Sequence, residues 1–384
     1  MSSDTKDTPI LITGAGGFVG RNLVATLQAH GYTRLLQFEK DDTPETLAEY
    51  CQKAAFVIHL AGINRPQNPD EFYTGNAGLT ETMLQLLAQA HNACPVLVTS
   101  SVQAGLDNDY GKSKKQAEQA IFAHGSATGA PVYVFRMEGV FGKWCRPNYN
   151  SVVATFCHNV ANGLPLTVRD RDFSLPLVYI DDVVACIMDA LEQGKAVRDE
   201  NGICHIHPVH TATLGKLADT IEGFAAARGA APTLAVPYLA ADSFEKKLYS
   251  TYLSYLPRDQ FAYDLQMHRD DRGSFTEFLR TPERGQVSVN ISHPGIVKGN
   301  HWHHTKNEKF LVVRGQGVIR FRNIFEDEIL EYRVSGDKLQ VVDIPCGYTH
   351  NIENVGTEDM VTVMWANESF DPDRPDTFFL PVLP

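Results

Sequence analysis

A tyrosine and a lysine four residues apart, Tyr110 and Lys114, could pass a proton to a carbonyl group. Residues 111–124 have the 3.6-residue hydrophobic period of a helix, and a spacing of four places both side chains on one face of it. A nearby ammonium lowers the pKa of a phenol from about 10 towards neutrality, which makes the phenol a better proton donor. Ser100 or Ser101, just upstream, could orient the carbonyl. The alternative is a surface tyrosine beside solvated lysines.

A second set of residues could hold a metal ion. His301 and His303 are two residues apart, so in a β-strand they point to the same face, and Glu308 and His350 follow. Three imidazoles and a carboxylate suit a divalent transition metal, Zn²⁺ above all, with iron, manganese, nickel and cobalt as alternatives. His304 would point away from this set. Lone histidines packed in a β-sheet would be the simpler interpretation without further context.

A glycine-rich turn, TGAGGFVG at residues 13–20, joins a predicted strand to a predicted helix. Gly14, Gly17 and Gly20 permit a tight turn, close approach of the backbone to a pyrophosphate, and close packing of helix on strand. The amino end of the helix adds partial positive charge. The turn therefore predicts a dinucleotide-binding site.

The choice between NAD and NADP depends on three side chains around this turn. Glu39 follows the next predicted strand, 19 residues beyond Gly20, where a carboxylate can bind ribose hydroxyls. Arg21 and Lys40 could instead lie beside the 2′-phosphate of NADP. The residues alone leave both cofactors open.

The first half of the chain alternates buried strands with amphipathic helices. Continuous apolar runs predict strands at 10–13, 56–62, 96–101 and 132–136, and helical periodicity marks 19–30, 75–93 and 111–124. Strand–helix repetition of this kind predicts a doubly wound parallel α/β sheet.

From Asp264 onward the pattern changes to short, alternating β segments that predict an antiparallel sandwich or jelly roll. Ala/Pro-rich sequence at 225–241 separates the halves, and 244–256 is interpreted as a connecting helix. We therefore expect two domains, residues 1–242 and 243–384.

Charge and hydropathy exclude several classes of function. The 384 residues include 34 basic and 46 acidic ones, a net charge of −12, which argues against nucleic-acid binding. No apolar run reaches the roughly 18 residues that span a bilayer, and Met1 to Thr8 lacks a secretory signal. The seven cysteines form no CxxC pair. These features predict a cytoplasmic protein without a membrane partner.

The motifs of residues 9–225 together resemble the extended short-chain dehydrogenase/reductases, many of which act on nucleotide sugars. The resemblance rests on TGAGGFVG, HLAG at 59–62, Asn76, YGKSK at 110–114, Arg136 and VYIDDVV at 178–184. It implies a Rossmann-like domain with catalytic residues Ser101, Tyr110 and Lys114, and with Ser100 as the rival to Ser101. It also implies cofactor contacts at Gly14, Gly17, Phe18, Val19, Gly20, Arg21, Glu39, Leu60, Ala61, Gly62 and Lys114.

Residues 295–315 resemble the first cupin motif, with Gly295, His301, His303, Glu308 and Gly315 at the family's spacing. The second motif runs from Pro345 through Gly347 and His350 to Asn354, but its leading glycine, Gly336, lies farther from Pro345 than usual. What the resemblance implies is one Zn²⁺ held by His301, His303, Glu308 and His350.

DRGSFTEF at 271–278 is similar to the opening strand of the cupin 3,5-epimerases that act on nucleotide-linked keto sugars. The similarity implies that Arg272 and Glu277 bind substrate. It also sets Lys298, a further substrate-binding candidate, against the arginine of that family's Arg-Gly-x-His segment. In that family the histidine matching His301 removes a proton. A metal-bound imidazole cannot also be a free base, so we prefer the metal role. Lys298, His304, Arg320 and Tyr332 remain candidate bases.

Stretches from both halves, including NYNSVVATFC and KGNHWHHTKNEKFLVV, resemble bifunctional capsular-polysaccharide enzymes that fuse such a reductase to a cupin. The resemblance implies a zinc-containing homodimer that makes UDP-N-acetyl-L-fucosamine. Its cupin would epimerise UDP-2-acetamido-2,6-dideoxy-β-L-arabino-hexos-4-ulose at C3. Its reductase would use NADPH to give UDP-2-acetamido-2,6-dideoxy-β-L-talose, and this favours Arg21 over Glu39.

Two other functions fit the same residues. The cupin could be a metal-stabilised module that only binds a sugar nucleotide or forms a dimer. It could also be a metal-dependent oxygenase, because three histidines and a glutamate suit Fe(II) as well.

Overall fold

The computed structural model describes residues 6–228, 233–237, 239–281 and 283–383. Its contacts divide the chain into two compact units. The first comprises Met1–Asp219 and Ser250–Leu256, and the second comprises Thr220–Tyr249 and Pro257–Pro384. The domain boundary at residue 242 stays a prediction.

The first unit is built on strands β1 to β9. These are β1 (Ile10–Thr13), β2 (Leu35–Phe38), β3 (Phe56–His59), β4 (Val96–Ser101), β5 (Val132–Met137), β6 (Gly139–Phe141), β7 (Ser174–Tyr179), β8 (Ile203–His205) and β9 (His210–Thr213). Six of them form a parallel sheet in the order β2-β1-β3-β4-β5-β8, and β6, β7 and β9 form a small mixed sheet.

Nine helices are assigned in the described part of the chain. They are α1 (Phe18–Ala29), α2 (Pro44–Lys53), α3 (Asp70–Phe72), α4 (Leu79–Gln89), α5 (Asp109–Thr128), α6 (Val152–Ala161), α7 (Ile180–Gln193), α8 (Leu214–Ala226) and α9 (Phe244–Leu253). A π-helical turn (Tyr73–Gly78) precedes α4, and short 3₁₀ turns lie at Val102–Gly105 and Arg258–Gln260. None of these helices is long and apolar enough to cross a membrane.

Helices cover both faces of the parallel sheet. Ile10 and Ile12 of β1 pack into a core with Leu23 of α1 and Ile187 of α7. Leu11, between them, packs on the opposite face into a core that α2, α4 and α5 complete. Successive residues of β1 thus enter two different cores, which explains why its sequence is continuously apolar. The predicted doubly wound α/β fold is confirmed.

The second unit contains strands β10 to β20. These are β10 (His268–Asp270), β11 (Gly273–Thr281), β12 (Gly285–Ser292), β13 (Val297–Trp302), β14 (Glu308–Arg314), β15 (Gln316–Asn323), β16 (Ile329–Ser335), β17 (Val341–Ile344), β18 (Tyr348–Asn354), β19 (Met360–Ala366) and β20 (Phe378–Phe379). They form two antiparallel sheets, in the orders β10-β11-β12-β19-β14-β17 and β16-β15-β18-β13-β20.

The core of the second unit lies between its two sheets. Phe310 and Val312 of β14 pack against Ile319 and Phe321 of β15 and Ile352 of β18. Although β14 and β15 are consecutive, they belong to different sheets, because the chain turns at the intervening Gly315, whose φ is +82°. This arrangement is a cupin jelly roll, as the sequence predicts.

Candidate active sites of the two units

The glycine-rich turn lies between β1 and α1, as predicted. Gly14 has a φ of +70°, and a Cβ atom on it would lie 2.9 Å from the Cα atom of Ala61. A Cβ atom on Gly20 would lie 2.3 Å from the carbonyl oxygen of Gly14. Gly17 caps α1, and its N–H donates to Gly14 over 3.0 Å. The turn leaves no room for side chains at Gly14 and Gly20 and little at Gly17, so it fits a dinucleotide pyrophosphate at the helix terminus.

The positions of Glu39 and Arg21 are compatible with NAD and with NADP, respectively. The N–H of Gly16 donates to the Glu39 carboxylate, so Glu39 lies beside the turn, as a ribose-binding acid would. Arg21, four residues after Gly17 in α1, is exposed, and none of the described residues forms an ion pair with its guanidinium. Phe18 and Val19, also assigned to the cofactor site, begin α1 and are half-buried.

The turn after β3 is held by a buried histidine. Thr13 Oγ1 lies 2.6 Å from His59 Nδ1 and accepts the N–H of Ala61 over 3.2 Å, while His59 Nε2 lies 2.9 Å from Thr80 Oγ1. Burial lowers the pKa of His59 to about 3, with a further contribution from Lys114, so this imidazole is neutral at pH 7. The network fixes Leu60 and the residues that follow beside the glycine-rich turn.

Lys114 is brought to the same place from α5. Its ammonium donates to the carbonyl oxygen of Thr99 over 2.8 Å, and it would lie 3.5 Å from a Cβ atom on Gly62. Burial lowers the pKa of Lys114 to about 8, although the charge of Glu118 opposes the shift. The predicted cofactor residues Leu60, Ala61, Gly62 and Lys114 therefore lie together at the carboxyl edge of the sheet.

Tyr110 stands in the first turn of α5, which Asn108 caps by accepting the Gly111 N–H over 2.7 Å. Burial raises the pKa of Tyr110, and a side-chain hydrogen bond with Ser101 opposes this shift. The net direction differs from the lowering by Lys114 that the sequence leads us to expect, because desolvation penalises the phenolate. Tyr110 is thereby kept in its protonated, proton-donating form at neutral pH.

The two serines have different neighbours. Ser100 Oγ donates to Glu118 over 2.6 Å, and the same carboxylate receives the Arg136 guanidinium at 2.8 and 2.6 Å. Ser100 is therefore committed to a buried network within the fold. Ser101 is the serine that contacts Tyr110. Sequence reasoning did not single out Glu118, because one acidic residue in a helix carries no signal of its partners.

A β-bulge shapes the histidine segment of the second unit. Gly299 pairs with Asn351 and His301 pairs with His350, so Asn300 is an extra residue in β13. Its φ is +60°, in the left-handed region. The bulge shifts the alternation of side chains by one, which brings Lys298 onto the same face as His301.

Four potential ligands meet in this unit, as predicted. His301, His303, Glu308 and His350 each offer an atom within 4.8 Å of the others. Nε2 of His303 and of His350 lie 3.5 and 3.4 Å from Glu308 Oε2, and these three buried atoms have no hydrogen-bond partner. Burial, with the neighbouring imidazoles, lowers the pKa of His301 to about 4, which favours the neutral form that binds metals. The donor set fits Zn²⁺.

Asp376 supports the cluster from the carboxyl-terminal segment. Its carbonyl oxygen lies 2.6 Å from Nδ1 of His303. Its carboxylate accepts the N–H groups of His304, Thr305 and Lys306 over 3.0, 2.8 and 2.8 Å. His304 is exposed, packs against Trp302, and lies outside the cluster.

The cluster opens onto a cavity of about 840 Å³. The predicted substrate-binding residues Arg272, Glu277 and Lys298 all line it, together with three of the potential ligands, His301, Glu308 and His350. Of the four candidate bases, only Lys298 lines this cavity.

Comparison with known proteins agrees with this architecture. Residues 10–203 match the model of the NAD dependent epimerase/dehydratase family. The chain belongs to this family. Residues 268–378 match a second model, the polysaccharide biosynthesis C-terminal domain.

Relatives of similar length align over nearly the whole chain. A protein from Pseudomonas aeruginosa described as UDP-2-acetamido-2,6-beta-L-arabino-hexul-4-ose reductase is 44% identical over 370 residues, which is 96% of this chain and 97% of that protein. The crystal structure of the capsular polysaccharide assembling protein CapF from Staphylococcus aureus is 52% identical, with a TM-score of 0.90, and covers 98% of this chain and 100% of its own. The predicted resemblance to capsular-polysaccharide enzymes of this two-part architecture is confirmed.

The second unit also has a shorter relative. Spore coat polysaccharide biosynthesis protein SpsL from Bacillus subtilis is 28% identical over 127 residues, which is 30% of this chain and 84% of that protein.

Proposed function

We propose that the chain is a bifunctional nucleotide-sugar enzyme of capsular-polysaccharide synthesis. Its second unit would epimerise UDP-2-acetamido-2,6-dideoxy-β-L-arabino-hexos-4-ulose at C3, and its first unit would reduce the C4 ketone with NADPH to UDP-2-acetamido-2,6-dideoxy-β-L-talose. The observation that carries the proposal is the presence of two separate sites in one chain, a reductase-type Ser101–Tyr110–Lys114 group and a metal-type cluster in a cavity. The name of the Pseudomonas aeruginosa relative supports the substrate class.

In the first unit, the chain's own residues bind the cofactor and protonate the ketone. The glycine-rich turn and Lys114 would hold NADPH, with Arg21 at the 2′-phosphate, and the bound nicotinamide supplies hydride. Tyr110 donates its hydroxyl proton to the developing C4 alkoxide, and Ser101 orients the carbonyl. Burial raises the pKa of Tyr110, so the phenol carries its proton at neutral pH but is a weaker acid than a solvated tyrosine, and the hydrogen bond with Ser101 opposes this shift.

In the second unit, the C4 ketone acidifies the C3 proton of the same sugar. His301, His303, Glu308 and His350 would hold Zn²⁺, which as a Lewis acid stabilises negative charge on the ketone oxygen. Arg272 provides positive charge in the cavity, which an acidic protein of net charge −12 needs in order to bind a diphosphate, and Lys298 would contact the same substrate. Glu277, which accepts from Arg280 over 2.9 Å, would complete the substrate contacts.

The assembly is part of the proposal. We expect a zinc-containing homodimer in the cytoplasm, with a UDP-sugar as its small-molecule partner. Light scattering of the purified chain tests the oligomeric state, and analysis of its metal content tests the metal identity.

The deciding experiment supplies the 4-keto sugar nucleotide to the full chain in D2O, with and without NADPH. We expect deuterium at C3 without NADPH, and a C4 alcohol that retains this deuterium when NADPH is added. Tyr110→Phe should abolish NADPH oxidation while C3 exchange continues, and Tyr263→Phe, at an exposed site, is the matched control. NADH assayed in parallel tests the preference for NADPH.

Three outcomes would contradict the proposal. If no deuterium enters C3, the second unit is a binding or dimerisation module. Oxygen consumption with bound iron would instead indicate an oxygenase. Undiminished NADPH turnover by the Tyr110→Phe variant would overturn the reductase assignment.

A further inference from the structure

Lys298 has an environment that fits a proton acceptor better than a phosphate contact. Its Nζ donates to Asn290 Oδ1 over 2.8 Å and to the carbonyl oxygen of Ile291 over 2.9 Å. Asn290 is buried and directs its own Nδ2 towards Ser292 Oγ at 3.3 Å, so its oxygen is turned to the lysine. The amine is therefore held by two neutral acceptors.

A neutral amine can make both of these contacts and still keep its lone pair. An uncharged amine has two N–H groups and one lone pair, whereas an ammonium has three N–H groups and no lone pair. When the two acceptors take both N–H groups, the lone pair remains for a group inside the cavity that Lys298 lines.

The bulge at Asn300 places this amine on the metal-binding face of β13. In a regular strand a spacing of three puts Lys298 and His301 on opposite faces. The extra residue is held by Asn351 Nδ2, which donates to Asn300 Oδ1 over 2.9 Å, and by the N–H of Leu380, which donates to the Asn300 carbonyl oxygen over 2.9 Å. Lys298 consequently lines the cavity into which the metal ligands open.

We infer that Lys298 is the catalytic residue that removes the C3 proton of the 4-keto sugar, an inference that rests on the epimerase function proposed above. The C3–H bond breaks, its proton moves to the lysine Nζ, and its electron pair forms the C3–C4 enolate with negative charge on the C4 oxygen. A solvent-derived proton on the opposite face of the sugar then completes the inversion. The ammonium returns its proton to water.

Electrostatics of the cavity favour the neutral amine. Burial lowers the pKa of Lys298, the charge of Asp270 opposes this shift, and the charge of Arg272 adds to it. Asp270 is itself paired with Arg272 at 2.6 Å, which reduces its opposing effect. A larger fraction of Lys298 is therefore uncharged near pH 7 than for a solvated lysine.

Most other ionisable groups of the cavity have other commitments, and His268, which also lines it, is exposed in β10. His301, Glu308 and His350 belong to the metal cluster, and the ammonium of Lys306 lies 4.0 Å from Glu308. Glu277 is paired with Arg280. Guanidinium groups do not lose a proton in proteins, which excludes the cavity arginines as bases.

The test compares two substitutions of the same lysine in the full, metal-loaded chain. Lys298→Arg keeps the positive charge but removes the base, so deuterium exchange at C3 should fall about 10²–10⁴-fold, the usual contribution of a general base. Binding of the keto-sugar nucleotide, measured by calorimetry, should change less than tenfold, and zinc content should be unchanged. Lys298→Ala should lose exchange equally and regain part of it when methylamine is added. Lys309→Met, on the exposed side of β14, is the matched control.

The possible results distinguish failure of Lys298 as the base from failure of the proposed epimerase function. A wild-type chain that exchanges no deuterium refutes the epimerase function, and Lys298 as a base with it. A wild-type chain that exchanges, together with a Lys298→Arg variant that exchanges equally well, leaves the epimerase intact and refutes the base. Loss of substrate binding in Lys298→Arg, with exchange normal at saturation, would make Lys298 a phosphate contact instead.

Discussion

The carbonyl oxygen of Asp376 lies 2.6 Å from Nδ1 of His303, and this contact decides which nitrogen of the imidazole faces the metal cluster. A carbonyl oxygen can only accept, so Nδ1 must carry the proton and Nε2 must present a lone pair. Nε2 is the buried atom that faces Glu308 at 3.5 Å. One backbone oxygen from the carboxyl-terminal segment therefore prepares His303, which directly follows β13, as a potential metal ligand.

The side chain of Asp376 should matter for zinc affinity, because its carboxylate holds three successive N–H groups after His303. Asp376→Ala frees this segment, and we expect zinc affinity to fall about 10–100-fold, as for other residues that support a metal ligand. Competition with a chromophoric chelator measures the affinity directly. Asp373→Ala, three residues away in sequence and exposed, should leave it unchanged. Equal affinities for both variants would mean that Asp376 does not support the site.

Removal of the metal should destabilise the second unit. Without an ion, the buried Nε2 atoms of His303 and His350 and Oε2 of Glu308 have no partner, whereas a bound ion stabilises the folded state by mass action. We expect the melting temperature to fall by several degrees after dialysis against a chelator and to recover with Zn²⁺ but not with Mg²⁺. NADPH binding should persist. An unchanged melting temperature in a verified metal-free sample would contradict a resident metal.

Much of the fold could be predicted because buried parallel strands have an unmistakable sequence pattern. The strand predicted at 96–101 coincides with β4, and the helix predicted at 111–124 lies within α5. The helix predicted over 75–93 starts differently, with a π-helical turn at Tyr73–Gly78. There the Asn76 side chain bonds to the backbone of Ile63, a contact that local periodicity does not encode.

Residue types were sufficient to predict that His301, His303, Glu308 and His350 cluster, but not what supports the cluster. His301 and His303 follow strand alternation, so they could be found from spacing alone. The Asn300 bulge could not, because the left-handed residue is held by Asn351, Leu380 and other distant contacts. Asp376 lies more than seventy residues from His303 in sequence and belongs to no motif. Long-range hydrogen bonds thus determine the parts of the site that sequence reasoning missed.

The glycine-rich turn should not tolerate a methyl group at Gly20. A Cβ atom there would lie 2.3 Å from the Gly14 oxygen and 2.5 Å from the Ala15 oxygen, both backbone atoms that can yield only if the turn moves. Gly20→Ala should weaken NADPH binding at least about tenfold and lower the free energy of unfolding by about 1–3 kcal/mol. Fluorescence titration with NADPH and urea unfolding measure the two effects. Gly223→Ala, where a Cβ atom meets nothing within 4 Å, is the control. Equal NADPH affinity in both variants would contradict cofactor binding at the glycine-rich turn.

The value of kcat/KM for NADPH should depend on pH because the Lys114 side chain loses its charge as the pH rises. Because burial lowers the pKa of this lysine to about 8, its ammonium is charged below that pH and neutral above it. The value of kcat/KM for NADPH, which reports ionisations of the free enzyme, should therefore decline as the pH rises through about 8. Lys114→Met should have a lower kcat/KM without this inflection, while Lys115→Met, exposed on the same helix, should keep it. Persistence of the inflection in Lys114→Met would assign it to another group.

Adjacent serines should give opposite phenotypes, because only one of them reaches Tyr110. Ser101→Ala removes the hydroxyl that would orient the ketone, and we expect kcat for reduction to fall about 10²–10³-fold. The free energy of unfolding should fall by only about 1 kcal/mol, from loss of the cap that Ser101 Oγ provides to the N–H of Gln103. Ser100→Ala removes a 2.6 Å donor to the buried Glu118 carboxylate, which should lower the free energy of unfolding by about 1.5–3 kcal/mol and affect kcat less. Steady-state NADPH oxidation and urea unfolding of both variants give the comparison. The reverse pattern would make Ser100 the catalytic serine and would mean that its bond to Glu118 breaks when substrate binds.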